Sequence, residues 1–172
     1  MNKIVSYLLI CSALLLIGCS GNEYTCVSDA PKELIGDFKS YQTIQDFERK
    51  VKMKTDSIVV FENSKLPKTD LRPEFSIYTI IVPEYKIENV TGKLRASFFN
   101  DRLMSVWFYP HDIKEFESHL KRKHNIILEN RENISIDCVE INRWTDFEGN
   151  EYFGWSGMKL IKEQNEWISQ HA

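Results

Sequence analysis

Apolar residues recur early in the chain as Ile44, Phe47 and Val51, the i, i+3, i+7 rhythm of a helix with one buried stripe, behind Ser40 and Thr43 as N-cap candidates. The rhythm returns behind Asp112 as Ile113, Phe116 and Leu120. The spacing predicts two amphipathic helices, and the segments also share glutamate (Glu48, Glu117) and lysine (Lys52, Lys121) at equivalent places. After each helix the chain turns to β-type runs: 57–62, 75–82, 92–99 and 102–109, then 134–141, 152–155 and 158–161. Asn100-Asp101, Glu148-Gly149-Asn150 and Ser156-Gly157 read as turns. The pattern predicts an α+β domain, an antiparallel sheet with helices mainly on one face, arranged as two helix-plus-meander repeats. Phe47 and Phe116 should then both be buried ring anchors on the same side of the sheet.

Alternation along the Asn100-Asp101 hairpin assigns its two faces. A two-residue turn pairs Phe98 with Leu103, Ala96 with Ser105 and Leu94 with Trp107 on the helix-covered face. The other face then carries Lys93, Arg95, Ser97, Phe99, Arg102, Met104, Val106 and Phe108, too apolar for water alone. Phe99, Met104 and Phe108 are its candidate binding residues. Trp107-Phe108-Tyr109 and Tyr152-Phe153, with Trp155, place rings on both sides of their strands. One side can be core; the other meets a second layer or a partner. The loop 63–73, with Pro67 and Pro73, is the longest irregular stretch expected.

The N-terminus follows a different pattern. Lys3 precedes an apolar run from Ile4 to Ile17 that is short of the roughly 20 residues needed to cross hydrocarbon. A charged start, a short apolar core and small residues at its end make a secretory signal. Its closing tetrapeptide, Leu16-Ile17-Gly18-Cys19, resembles the lipobox of bacterial lipoprotein precursors. The resemblance implies removal of residues 1–18, diacylglycerol on the Cys19 sulfur and acylation of the new amino group. Residues 19–30 then form a lipid-anchored tether, and 31–172 one α+β domain, as length and patterning predict. Ser20, where lipoproteins held in the inner membrane typically carry Asp, implies the outer membrane facing the periplasm in a double-membraned cell, with the inner membrane as the alternative.

Composition narrows the partners. The signal takes Lys3 but none of the 25 acidic residues, so the remaining chain is mildly acidic, with charges interspersed. No basic face suits phosphate backbones, and nucleic-acid binding is set aside. A domain of roughly 150 residues can bury a real core without metal or a dense disulfide framework. Of the 4 cysteines, Cys11 leaves with the signal and Cys19 is acylated; Cys26 and Cys138 remain for one disulfide in an oxidising compartment.

The search for chemistry yields no catalytic residue, metal site or cofactor. His111, Glu115 and His119 lie four apart, at ligand-like spacing, but read as a solvated helix face opposite the apolar stripe. Residues 146–151 have the composition of a calcium loop, yet glycine stands fourth and the closing acid is missing, so a hairpin loop explains them. Gly154-Trp155-Ser156-Gly157 is one residue short of a nucleophile elbow. The expectation is a non-enzymatic, lipid-anchored envelope protein that binds another envelope protein or assists assembly. Its layout is similar to that of small envelope lipoproteins with helix-plus-meander modules, including accessory subunits of outer-membrane assembly machines and some protein inhibitors. Two alternatives remain: an immunity, exclusion or inhibitor protein against an incoming toxin or partner, and, less favoured, an envelope hydrolase.

Overall fold

A computed structural model describes Cys26 and residues 30–172. Helix α1 spans Ile44–Lys52 and is followed by four strands, β1 (Val59–Lys65), β2 (Ser76–Ile87), β3 (Val90–Phe99) and β4 (Arg102–Pro110). Helix α2 (Ile113–His124) precedes β5 (Glu132–Ile136), β6 (Val139–Thr145) and β7 (Glu151–Gly157), and α3 (Met158–His171) closes the chain. The strands form one antiparallel sheet in the order β1-β2-β3-β4-β7-β6-β5. Each meander runs inward from an edge, and their last strands, β4 and β7, meet at the centre.

Both predicted helices form where their caps stand. Thr43 Oγ1 accepts from the Asp46 amide at 3.2 Å, and Asp112 Oδ1 from the Glu115 amide at 2.9 Å, each satisfying a backbone donor of the first turn. Asn125, in the left-handed conformation at φ 54°, ends α2. Both helices lie on the same face of the sheet. Phe47 meets Phe98 of β3 at 5.4 Å between ring centroids, and Phe116 sits among Phe108 of β4 and Phe153 and Trp155 of β7. Both phenylalanines are fully buried in one apolar cluster. An irregular hairpin at 33–39 adds Leu34, Ile35 and Phe38 to that layer, Phe38 stacking on Phe47 at 4.7 Å.

Four features depart from the sequence reading, each for a local reason. Asn100 and Asp101 form the two-residue turn, both at positive φ, but Ser97 pairs with Ser105 while Phe98 pairs with Leu103. Met104 is therefore an extra residue, and beyond this bulge the alternation inverts. Val106 and Phe108 enter the helix-side core, whereas Ser105 and Trp107 take the far face, the reverse of the simple hairpin. The run 134–141 is not one strand but two, broken at Asp137 and Cys138, both at positive φ without a glycine to announce it. Residues 158–161 are the first turn of α3 rather than a strand, and Gly157 is its N-cap rather than part of a hairpin turn. A short apolar run fits either structure, and here it continues into a helical period through Leu160 and Trp167. Finally, His119 is buried against Phe116 instead of lying opposite the apolar stripe, with ring centroids 5.9 Å apart.

Helix α3 packs on the far face, where buried Leu160 covers Phe99 and Met104. It is held there by Trp167, whose ring lies 4.4 Å from that of Phe75 and whose Nε1 donates to the Pro73 carbonyl at 3.2 Å. An Arg102–Glu163 ion pair at 2.8 Å secures its first half. Cys26 lies beside Cys138 at disulfide distance, with Cα atoms 5.4 Å apart.

Candidate functional site

Helix α3 covers the end of the far face that holds Phe99 and Ile77, and among the described residues no helix crosses the other end. That end is a four-strand surface built by pairing. Arg95 on β3 stands opposite Trp107 on β4, Trp107 opposite Gly154 on β7, and Gly154 opposite Asn142 on β6. One step along, Lys93 stands opposite Tyr109, and Tyr152 opposite Trp144. Paired residues of antiparallel strands project to the same side, so these side chains form two adjacent rows.

Arg95 is at the centre of the arrangement. Its guanidinium lies between two rings, 5.1 Å from the centroid of Phe61 and 5.3 Å from that of Trp107, within cation–π range of both. Its Nε is buried without a hydrogen-bond partner, and among the described residues no carboxylate makes an ion pair with it. Phe61 itself is 61% exposed on β1, and Trp144 is 41% exposed on β6. The glycine at 154 is required by this layout. A Cβ there would lie 2.8 Å from Trp107 Cδ1 and 2.6 Å from Asn142 Oδ1, so only glycine lets the indole lie across β7.

The second row is more polar. Lys93 Nζ stands 4.1 Å above the Tyr109 ring, which lies 5.2 Å from that of Tyr152. Burial pushes both tyrosine hydroxyls above their usual value, the Arg95 charge opposing it in each case. The β6–β7 loop closes the row. Burial works against the Asp146 charge, but hydrogen bonds from the Asn150 and Glu148 amides and the Asn150 side chain outweigh it and hold the carboxyl below its ordinary range. Loop 146–150 is thus a hairpin closed on its own aspartate. Phe147 at its tip is fully exposed.

The candidates chosen from sequence stand elsewhere. Phe108 is buried in the helix-side core, and Phe99 and Met104 are buried beneath α3, so none of the three lies on an open surface. The inverted alternation after Met104 is the reason: it exchanges Phe108 for Trp107 as the residue on the far face. The chain announces rings on both sides of these strands, but simple alternation puts Trp107 on the helix-covered side, and Arg95 and Gly154 carry no signal of a site. His111 pairs loosely with Glu84 at 3.6 Å, far from any histidine or cysteine partner set, and no cluster of three metal-binding side chains occurs among the described residues. Ser156 is occupied by a buried 2.8 Å hydrogen bond with Ser105. A groove of about 520 Å³ between α3 and the sheet, lined by Glu140, Ser156, Met158 and Ile161, adjoins the open rows along β6 and β7. Residues 16–19, which resemble a lipobox, lie outside the described residues. None of the helices described is long and apolar enough to cross a membrane. No family model, curated protein or solved structure matches the chain.

Proposed function

We propose that this protein is a lipid-anchored envelope lipoprotein that binds another envelope protein through the open end of its far sheet face, without catalysing a reaction. The observation that carries the reading is the uncovered double row of aromatic and cationic side chains centred on Arg95 and Trp107. Broad rigid rings with polar tips are enriched where one protein grips another, because they supply area at low entropic cost. The anchor rests on Leu16-Ile17-Gly18-Cys19, and several acyl chains exceed the two signals stable anchoring requires. Cys26 and Cys138 serve as the disulfide of an exported chain, fastening the membrane tether to the β5–β6 turn.

The anchor and the face are tested separately. Cys19→Ala should abolish labelling by fatty-acid analogues and leave the precursor uncleaved by the lipoprotein signal peptidase; normal labelling of that variant would refute the anchor. A photoreactive residue replacing Trp144 should give a protein adduct in intact envelopes, and one replacing Lys121, on the exposed side of α2, should not. No adduct from the sheet face would refute the docking function.

A further inference from the structure

Resting on that docking reading, we infer that the partner presents a carboxylate to Arg95: the protein that occupies the open face inserts an aspartate or glutamate, set among apolar residues, at the edge of the guanidinium held between Phe61 and Trp107. A guanidinium lying over two rings, 5.1 and 5.3 Å from their centroids, keeps its in-plane N–H groups for a ligand, in the fork geometry that takes both oxygens of a carboxylate. The rings hold that fork in place before binding, which reduces the side-chain entropy lost when a partner arrives. Beyond the Tyr109 hydroxyl, which accepts from Arg95, the fork meets no carboxylate among the described residues. Arg49, Arg72, Arg102 and Arg143 are each paired with a carboxylate; Arg95 is not, and unlike the exposed Arg122 and Arg131 it is half-buried, with a buried Nε that has no acceptor. A half-buried cation without a counter-charge is costly to keep, and a ligand carboxylate removes that cost.

The surroundings select a protein over a polyanion. Only Lys93 joins Arg95 as a cation in the two rows, and the nearby Asp146 charge offsets it. Nucleic acid or an anionic lipid surface is held by several cations acting together, and this face does not provide them. Phe61, Trp107, Tyr109 and Tyr152 instead set one charge in apolar area that Trp144 extends beyond Tyr152, the composition of a hot spot that excludes water around a single ion pair.

The test begins with the full lipoprotein in intact envelopes, carrying the photoreactive residue at position 144. Mass spectrometry of the adduct identifies the partner and the acidic residue nearest the cross-link. With the purified pair, Arg95→Glu should weaken binding at least thirtyfold and Arg95→Lys, which keeps charge but loses the fork, by less. Changing the partner's acidic residue to arginine should restore binding to the Arg95→Glu protein. Thermal melts accompany each variant, and Arg95→Lys carries the comparison if Arg95→Glu fails to fold. Unchanged affinity in a folded Arg95 variant would overturn the carboxylate while leaving the docking reading intact. Absence of any protein adduct at 144, 152 or 61 would instead overturn the docking reading itself. An adduct to phospholipid at these positions would overturn both.

Discussion

Replacing Phe116 by alanine probes the packing that unites the second helix with the centre of the sheet. The ring is fully buried and touches Phe108 at 4.9 Å and Phe153 at 5.0 Å between centroids, with Trp155 at 6.3 Å and His119 at 5.9 Å. Apart from His119 on α2 itself, these neighbours come from β4 and β7, two strands held by a hydrogen-bonded ladder that resists collapse into the space the ring leaves. Truncation therefore costs the transfer energy of the lost ring and most of the cavity penalty, about 3–5 kcal/mol. For a domain of this length that corresponds to a fall of roughly 6–20 °C in melting temperature. Equilibrium urea denaturation followed by tryptophan fluorescence measures it, with Trp155 as a reporter in contact with the ring. Phe47→Ala should cost a similar amount, because Phe47 is equally buried against Phe38 and Phe98. Phe147→Ala, at an exposed loop tip, should stay within about 0.5 kcal/mol. A loss below about 1 kcal/mol at Phe116 would refute the reasoning, since it would mean that the site relaxes around the missing ring.

Three further outcomes follow from the described contacts. Burial, then the Arg122 charge, holds the His119 imidazole below its ordinary pKa, so the folded state disfavours the proton; stability should be full above about pH 6.5 and decline as pH falls below it, with a flatter response in His119→Gln measured by melts between pH 7.5 and 5.5. Arg143 reaches Glu117 on α2, Glu151 on β7 at 2.8 Å and the Leu128 carbonyl at 3.0 Å, so Glu117→Gln should cost more than Glu48→Gln, and Arg143→Ala about 1–3 kcal/mol by urea denaturation, through stranded polar groups. Non-reducing mass spectrometry should show Cys26 and Cys138 peptides linked, and reduction should lower the melting temperature, the loop-entropy model giving up to about 4.7 kcal/mol for a loop of about 100 residues.

Much of the fold is readable in the chain, because the signals that define it are local. The i, i+3, i+7 stripes with their Thr43 and Asp112 caps give both helices of the helix layer, and the Asn100-Asp101 turn gives the central hairpin. What is not readable depends on tertiary contacts. Nothing in the sequence 102–109 marks Met104 as an extra residue, since Leu103, Met104, Val106 and Phe108 are apolar enough for either face. The bulge becomes favourable only when Phe108 and Val106 can enter the layer under α2 and Met104 can pack beneath Leu160. The site depends on the same bulge: its aromatic rows follow from which residue of each adjacent pair the bulge turns outward. Likewise Glu117 is a surface-type residue by pattern, and only the folding of β6 beneath α2 gives it Arg143. The charge balance, by contrast, needs no structure.

The meeting of β4 and β7 at the centre of the sheet sets the order in which the chain can fold. Every other described strand pair joins sequence neighbours and closes over a connection far shorter than a helix plus a meander, a kinetically easier event. Only the four paired positions from Ser105 with Ser156 to Phe108 with Phe153 must wait for α2 and a whole second meander to be in place. This short ladder is therefore the topological bottleneck, and its polar pin is the buried Ser105–Ser156 hydrogen bond. Loss of that pin in Ser156→Ala should slow refolding in stopped-flow chevrons, whereas Phe61→Ala at the outer edge should leave the folding limb unchanged.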